Sequence, residues 1–448
     1  MPKLKAYKYR LYPKKKQAEK LQWTLDCVRA LYNAALQERR DAYEIMVKRH
    51  PNFYDESSRQ YLTRTHAISY EQQAGQLPEI KEGQEAYQDI HSQVLQEALR
   101  RVDKAYQAFF RRVKEGKTPG YPRFKGKDRF DSFCYPQTGF SLTADHRVRL
   151  SKIGTLTVKM PTGKKAHPPV GKMKTCTVKR EGEHWFIVLV CETEQEMVYH
   201  PSEEAIGIDL GLLHFATLSD GSTIENPRYL RAAQGKLTKA QQAITHTQRG
   251  SKRRKKAGKL LGKLHRKIAN QRKDFLHKAS RKLVTRYQTI IFEKLAPANM
   301  SRRPKPKKDE ATGEYLPNGA SAKAGLNKSL RDAGWAQFVR HCQNKAEEAG
   351  SRVLLVDPKY TSQLCSGCGA IQKKELDERW HACSCGCELD RDQNAAINIL
   401  RIGLSGEPIC KKRSQARTEP SEDAPLRSPA IHGEGVVTTI LKIRSATS

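Results

Sequence analysis

The pattern of apolar and polar positions divides the chain into stretches of different period. Residues 1–12, MPKLKAYKYRLY, alternate apolar and basic side chains, which is the two-residue period of a strand. The period then lengthens, and KKKQAEKLQWTLDCVRALYNAALQERRDAYEIM predicts a helix. A basic, poorly periodic stretch follows (47–87), with Pro51 and Pro78 as expected breakers. Next, Ile90, Val94, Ala98, Val102, Ala105 and Phe109 recur every three or four residues and form one helix face. That helix runs out at the Gly/Pro turn EGKTPGYPRFKG. From about 138 to 195 the period returns to two. VRLSKIGTLTVKM, TCTVKREG and HWFIVLVCET read as strands of a small antiparallel sheet or barrel, and EQEMVYHPSEE as a linker.

Beyond the linker, strand and helix patterns alternate, as in an α/β domain. AIGIDLG and HFATLSDG read as paired strands, and 229–287 as helix with a hairpin at Gly250 and Ser251. TIIFEKL reads as a buried strand, and a Pro/Lys loop (297–320) leads into an amphipathic helix around Leu330, Trp335, Phe338 and Cys342. RVLLVD is a further strand, followed by a cysteine cluster and a last helix over 391–402. The tail after Gly403 is rich in Ser, Pro and charge, the composition of a disordered segment.

Charge narrows the function. The 448 residues carry a formal net charge of +34, far beyond what solubility requires. Such an excess calls for a polyanion. An anionic membrane surface is one candidate, but the charge is spread over several regions rather than one amphipathic anchor, which favours nucleic acid. The densest run lies within 229–287, where Asp274 is the single acid. There Lys252, Arg253, Arg254, Lys255 and Lys256 are candidate phosphate contacts, with a solvated charged face as the alternative. No apolar run approaches the roughly 20 residues of a membrane helix, and the N-terminus lacks an apolar signal core. The expectation is a cytoplasmic protein with no membrane partner.

Five of the eleven cysteines fall between Cys365 and Cys387. CSGC (Cys365, Cys368) and CSC (Cys383, Cys385) are turn-borne pairs that can set four thiolates on a structural zinc. Pairing Cys385 with Cys387 is the alternative. The first choice leaves Gly386 after the last ligand, where a turn needs a permissive backbone.

Three acids stand out. Projected on a helix, Ala395, Ala396, Ile399 and Ile402 form an apolar face with Asp392 in its middle, while Asp390 fits the N-cap with Gln393 three residues on. Asp392 could simply answer the helix dipole. Asp209 and Glu293, however, end the apolar runs AIGID and TIIFE, at the strand ends where α/β sheets place their sites. Three carboxylates without histidine or lysine suit Mg²⁺, and two such ions could activate a water against a phosphodiester. With the basic excess, this reads as a nuclease. GIDLG alone also opens actin-like ATPases, but the phosphate loops of that class are missing.

GIDLGLLHFATLSDG, IIFEKL, YTSQLCSGCG and LDRDQNAAINIL resemble the RuvC-type nuclease domain and embedded zinc ribbon of TnpB (OrfB) proteins, which bacterial insertion sequences encode. YKYRLYPKKKQAEKLQWTLDCVRALYNAAL and LQEALRRVDKAYQAFFRRVKEGKTPGYPRFKGK are similar to that family's opening blocks. The resemblance covers residues 3–402 and implies an RNA-guided DNA endonuclease of a bacterial or archaeal cytoplasm, related to the type V CRISPR effectors. Its expected partners are a guide RNA from the transposon end and double-stranded target DNA with a short adjacent motif. An RNA-guided repressor or transposition accessory protein without cleavage is the alternative. The implied fold is multidomain α+β. Residues 1–15 and 120–198 would form a β-barrel-like wedge domain, interrupted by a helical recognition lobe (16–119). Residues 199–362 and 389–403 would form an RNase H-like (RuvC) α/β domain with a zinc ribbon inserted at 363–388, and 404–448 a disordered tail. The implied catalytic, Mg²⁺-holding acids are Asp209, Glu293 and Asp392. The implied zinc ligands are Cys365, Cys368, Cys383 and Cys385, the second pair one residue short of the family's commoner CxxC. Arg123 and Lys125 of YPRFKGK would touch RNA or the target-adjacent duplex.

Overall fold

The computed structural model describes residues 3–49, 68–127, 129–161, 168–194, 198–375 and 378–406. In chain order, strand β1 (Lys3–Tyr12) leads into helix α1 (Lys15–Arg49), then the short helices α2 (Tyr70–Gly75), α3 (Leu77–Gly83) and α4 (Glu85–Gln88), and helix α5 (Ser92–Lys114). Strands β2 (Ser132–Tyr135), β3 (Phe140–Leu142), β4 (Arg147–Leu150), β5 (Gly154–Lys159), β6 (Lys172–Glu181) and β7 (His184–Thr193) follow. Next come β8 (Ala205–Asp209), β9 (His214–Leu218), β10 (Thr223–Glu225), α6 (Tyr229–Ala232), α7 (Gln234–Thr245) and α8 (Lys252–Arg286). The remainder is β11 (Thr289–Glu293), α9 (Pro297–Met300), β12 (Lys307–Lys308), β13 (Tyr315–Leu316), α10 (Ala320–Ala333), α11 (Trp335–Ala349), β14 (Arg352–Val356), β15 (Trp380–Ala382), β16 (Glu388–Asp390) and α12 (Arg391–Ser405).

The chain forms two compact units. Of the described residues, the first draws on 3–204, 226–289 and 297–353, and the second on 205–225, 290–296 and 354–406. In the first unit a seven-stranded sheet has the order β2-β6-β7-β1-β5-β4-β3. The N-terminal strand therefore sits in the middle of strands that follow it by more than a hundred residues, antiparallel to β7 and β5. Its alternation buries Tyr7, Tyr9 and Leu11, while Lys8 and Tyr12 on the other face are exposed. Those residues share one apolar core with Leu21, Leu25, Leu36, Val94, Leu95 and Val102 of α1 and α5. The basic α7 and α8 form the expected hairpin, with Gly250 at φ +84° and Ser251 capping α8 through Arg254 N at 3.1 Å.

The second unit is built on a five-stranded sheet of order β10-β9-β8-β11-β14. Ile206, Ile208, Ile290, Ile291 and Phe292 are buried, so β8 and β11 read as nearly continuous apolar runs. Helix α12 packs on this sheet through Ala395, Ala396 and Ile399, as its apolar face predicts. No helix among the described residues is long and apolar enough to cross a membrane.

Several expectations change. Pro78 breaks nothing: it lies in the first turn of α3, where a missing N–H costs no helical bond. The amphipathic helix around Leu330 and Phe338 is two helices, interrupted at Gly334 with φ +73°. VRLSKIGTLTVKM is two strands joined by a turn at 151–153. Residues 198–204 of the linker are anchored, because His200 Nδ1 accepts from Ser202 N at 3.1 Å while Nε2 lies 3.1 Å from Val284 O. The last helix continues to Ser405 rather than stopping at Ile402. Pro51 and the tail from 407 lie outside the described residues.

Candidate active site and metal knot

Asp209 is the last residue of β8 and Glu293 the last of β11, neighbouring strands of the five-stranded sheet. Asp392 lies in the first turn of α12, which packs on β8 and against Ile291 of β11. Two glycines let the helix lie so close. A Cβ on Gly207 would stand 2.5 Å from Leu400 N, and one on Gly403 would stand 2.6 Å from the Ile291 side chain. Asp392 Oδ2 comes within 3.8 Å of where a Cβ on Gly211 would be, two residues beyond Asp209. Three acids separated by 84 and 99 positions (209 to 293, 293 to 392) thus meet at one edge of the second unit.

Their electrostatics agree. Burial, then the negative charges of Glu293 and Asp392, push the Asp209 carboxyl well above the usual carboxylate range. Burial raises Glu293, while the Thr361 hydroxyl, which donates to its Oε1, pulls it back. Burial and then the Asp390 charge raise Asp392, against Arg379, Arg391 and His214. Buried acids that repel one another are a set that a cation would stabilise, and all-oxygen donors suit a hard divalent ion. Among the described residues, the carboxylate oxygens are not all within 4.8 Å of one another, unlike the cysteine sulfurs below.

Asp390 caps α12 by accepting from Asp392 N at 2.8 Å and Gln393 N at 3.2 Å. The Gln393 amide lies beside Gly221, in the turn between β9 and β10. The strand leading to this cap, β16, pairs with β15, Trp380 opposite Asp390. The turn of that hairpin carries Cys383, Cys385 and Cys387.

The sulfurs of Cys365, Cys368, Cys383 and Cys385 all lie within 4.8 Å of one another, with Cys365–Cys385 and Cys368–Cys383 both at 3.6 Å. Gly386 has φ +83°, so the turn after Cys385 uses the permissive backbone that the sequence suggested. A second group joins Cys365, His381 and Cys387 within the same limit, and His381 is fully buried. Burial opposes ionisation of Cys365, yet the N–H groups of Cys368 and Gly367 and the His381 ring bring its thiol down to about 5. The Cys387 N–H favours a Cys385 thiolate, but the sulfurs of Cys368 and Cys383 push that thiol up to about 12. Four sulfurs this close ionise together only around a cation, and a closed four-thiolate set fits structural zinc.

Other candidates divide. Lys252, Arg253, Lys255 and Lys256 are exposed, whereas Arg254 donates to Ile244 O at 2.7 Å and Thr247 O at 2.9 Å, closing the end of α7. Arg123 is exposed and Lys125 half-buried. The backbone of Lys125 is fastened to α1 by both ends of the Asn33 amide, at 2.8 and 3.0 Å. The sequence reading missed Thr361, Asn394 and Asn398. The two asparagines are fully buried on α12, and Asn residues at i and i+4 beside an apolar stripe were the available signal.

Residues 188–303 match a sequence family described as "Probable transposase", 335–399 one described as "Cas12f1-like, TNB domain", and 1–46 one described as "Helix-turn-helix domain". In this chain the last segment is one strand and one long helix. A Streptomyces pristinaespiralis protein, provisionally named an RNA-guided DNA endonuclease, is 31% identical over 92% of this chain and 94% of its own length. A similarly named Escherichia coli K12 protein, InsQ, is 31% identical over 94% of this chain and 98% of its own. Among solved structures, the Cas12f1 protein in a complex with single-guide RNA and target DNA shares the fold, with a TM-score of 0.51 at 12% identity over 86% of this chain and 83% of that one.

Proposed function

The chain belongs to the TnpB (OrfB) family of insertion-sequence proteins, and from that premise we propose that it is an RNA-guided DNA endonuclease cutting through Asp209, Glu293 and Asp392. The observation that carries this reading is the meeting of those three acids, from distant parts of the sequence, in a site where burial and the other two charges raise Asp209. In this reading the second unit is a RuvC-like, RNase H-type nuclease domain with an inserted zinc ribbon. The seven-stranded sheet is the wedge domain, and α1 to α5 are the recognition lobe.

Asp209, Glu293 and Asp392 would hold divalent ions such as Mg²⁺, which would supply an activated water and neutralise charge on the scissile phosphate. The protein's own part is placement. β8 and β11 hold Asp209 and Glu293 on adjacent strands, and the capped start of α12 holds Asp392 where the helix dipole favours its charge. Cys365, Cys368, Cys383 and Cys385 would hold the zinc, which would fix the β15–β16 hairpin and with it the residue at which α12 begins. Exposed Lys252, Arg253, Lys255 and Lys256, with Arg123, neutralise phosphates of guide RNA or target DNA, which orients but does not specify. Sequence is read by the guide, drawn from the transposon end, through base pairing.

The test is to purify the full chain with its flanking transposon DNA, sequence the RNA that copurifies, and offer the complex a library with randomised flanks. Cutting beside one short motif, dependent on Mg²⁺ and on the RNA, supports the reading. Tight RNA binding with no cleavage on any flank would instead mark a guided repressor.

A further inference from the structure

Thr361 lies between β14 and the first cysteine pair, outside any regular element, yet it is only 2% exposed. Its hydroxyl donates to Glu293 Oε1 and also lies 3.1 Å from Pro358 O. A threonine hydroxyl has one proton, so the carboxylate and the carbonyl compete for it, and an ionised Glu293 is the stronger acceptor.

The backbone around Thr361 is held from α12. Asn398 Nδ2 donates to Thr361 O at 2.9 Å and to Leu364 O at 2.7 Å. One turn earlier, Asn394 Nδ2 donates to Leu364 O at 2.7 Å, and its Oδ1 accepts from Ser366 N at 2.9 Å. Arg401 adds a bond to Ser366 O at 2.7 Å. Tyr360, just before Thr361, holds φ +65°, a conformation that a tyrosine keeps only where its surroundings fix it. The helix that presents Asp392 therefore also clamps the loop that places a hydroxyl on Glu293, and the same loop enters the cysteine knot at Cys365.

We propose that Thr361 is a positioning residue for Glu293, and that Asn398 couples it to the helix carrying Asp392. The hydroxyl selects one orientation of the Glu293 carboxylate and leaves the other oxygen free for a divalent ion. The proposal rests on the reading of Glu293 as a metal-holding acid.

The test uses the full chain with its guide RNA and compares Thr361→Val, Thr361→Ser and Glu293→Gln. Binding of Mn²⁺ is read by loss of the free-ion EPR signal, and single-turnover cleavage is read across a Mg²⁺ titration. A hydrogen bond to a charged group is lost in Thr361→Val, so Mn²⁺ affinity falls about tenfold or more and the half-saturating Mg²⁺ concentration rises in step. At saturating Mg²⁺ the cleavage rate stays close to wild type. Thr361→Ser restores both values, and in a Glu293→Gln background Thr361→Val has no further effect on Mn²⁺ binding. Wild-type Mn²⁺ affinity and Mg²⁺ dependence in a folded Thr361→Val variant overturn the proposal, as does a Thr361→Ser variant that behaves like valine. Full cleavage by Glu293→Gln sinks the site reading itself, a separate outcome.

Discussion

Gly207 offers a direct test of how the fold holds the site together. It lies two residues before Asp209 in β8, and a Cβ there would stand 2.5 Å from Leu400 N and closer still to Ala396 O. Carbon contacts settle at about 3.5–4.0 Å, so Gly207→Ala asks strand and helix to part by about 1 Å. Both opposing atoms are helix backbone, so no change of rotamer relieves the overlap. Overpacking of this kind costs about 1–3 kcal/mol. The same displacement moves Asp392 away from Asp209, and a misplacement of about 1 Å in an active site lowers rate by about 10²-fold. The control is Gly235→Ala in α7, where a Cβ meets nothing within 4 Å and the change stabilises by about 0.5–1 kcal/mol at most. Urea unfolding, guide-RNA binding and single-turnover cleavage are measured on both variants. Gly207→Ala should lower the unfolding midpoint and the cleavage rate while RNA binding persists. Wild-type cleavage together with a wild-type midpoint refutes the claim that α12 sits on β8 at this glycine.

Three further outcomes follow from other parts of the structure. Removing zinc with a chelator should slow cleavage more than it weakens RNA binding, because the knot fixes the start of α12 without touching Asp392. Metal analysis should show zinc lost in Cys383→Ser and kept in Cys387→Ser, and the reverse pattern would move the fourth ligand to Cys387. In the first unit, burial and then the neighbouring His341 and Lys345 lower His277 to about 4, with its ring stacked on His341 at 4.1 Å. The folded state then binds fewer protons than the unfolded chain between about pH 6.5 and 4, so stability is full above that window and is lost as pH falls through it. Melting temperature should drop from pH 7 to 5 less steeply in His277→Gln than in the wild type, and parallel curves would remove His277 from that account.

Much of this was legible in the sequence where one period dominated. The alternation of MPKLKAYKYRLY marked a strand, and the Asp390 cap and the apolar face of α12 followed from helical spacing. What pattern could not reveal is long-range placement. Nothing local says that β1 pairs with β7 and β5, since that partner choice depends on the core it shares with α1 and α5. Helix breaks were misjudged in both directions, because Pro78 is harmless in a first turn and Gly334 ends a helix whose apolar period runs on. Arg254 was grouped with its basic neighbours, yet its guanidinium closes a helix end. Thr361 was invisible as a site candidate, since its importance lies in a contact with Glu293 across 68 positions.

The central claim is that Asp209, Glu293 and Asp392 form one nuclease site on a guided protein. Its most direct measurement is single-turnover cleavage of a matched target by guide-loaded complexes carrying Asp209→Asn, Glu293→Gln or Asp392→Asn, with target binding followed in parallel. Each variant should bind its target as the wild type does and cut more slowly by about 10²-fold or more. Wild-type cutting by any of the three, with the RNA loaded and Mg²⁺ present, contradicts the account.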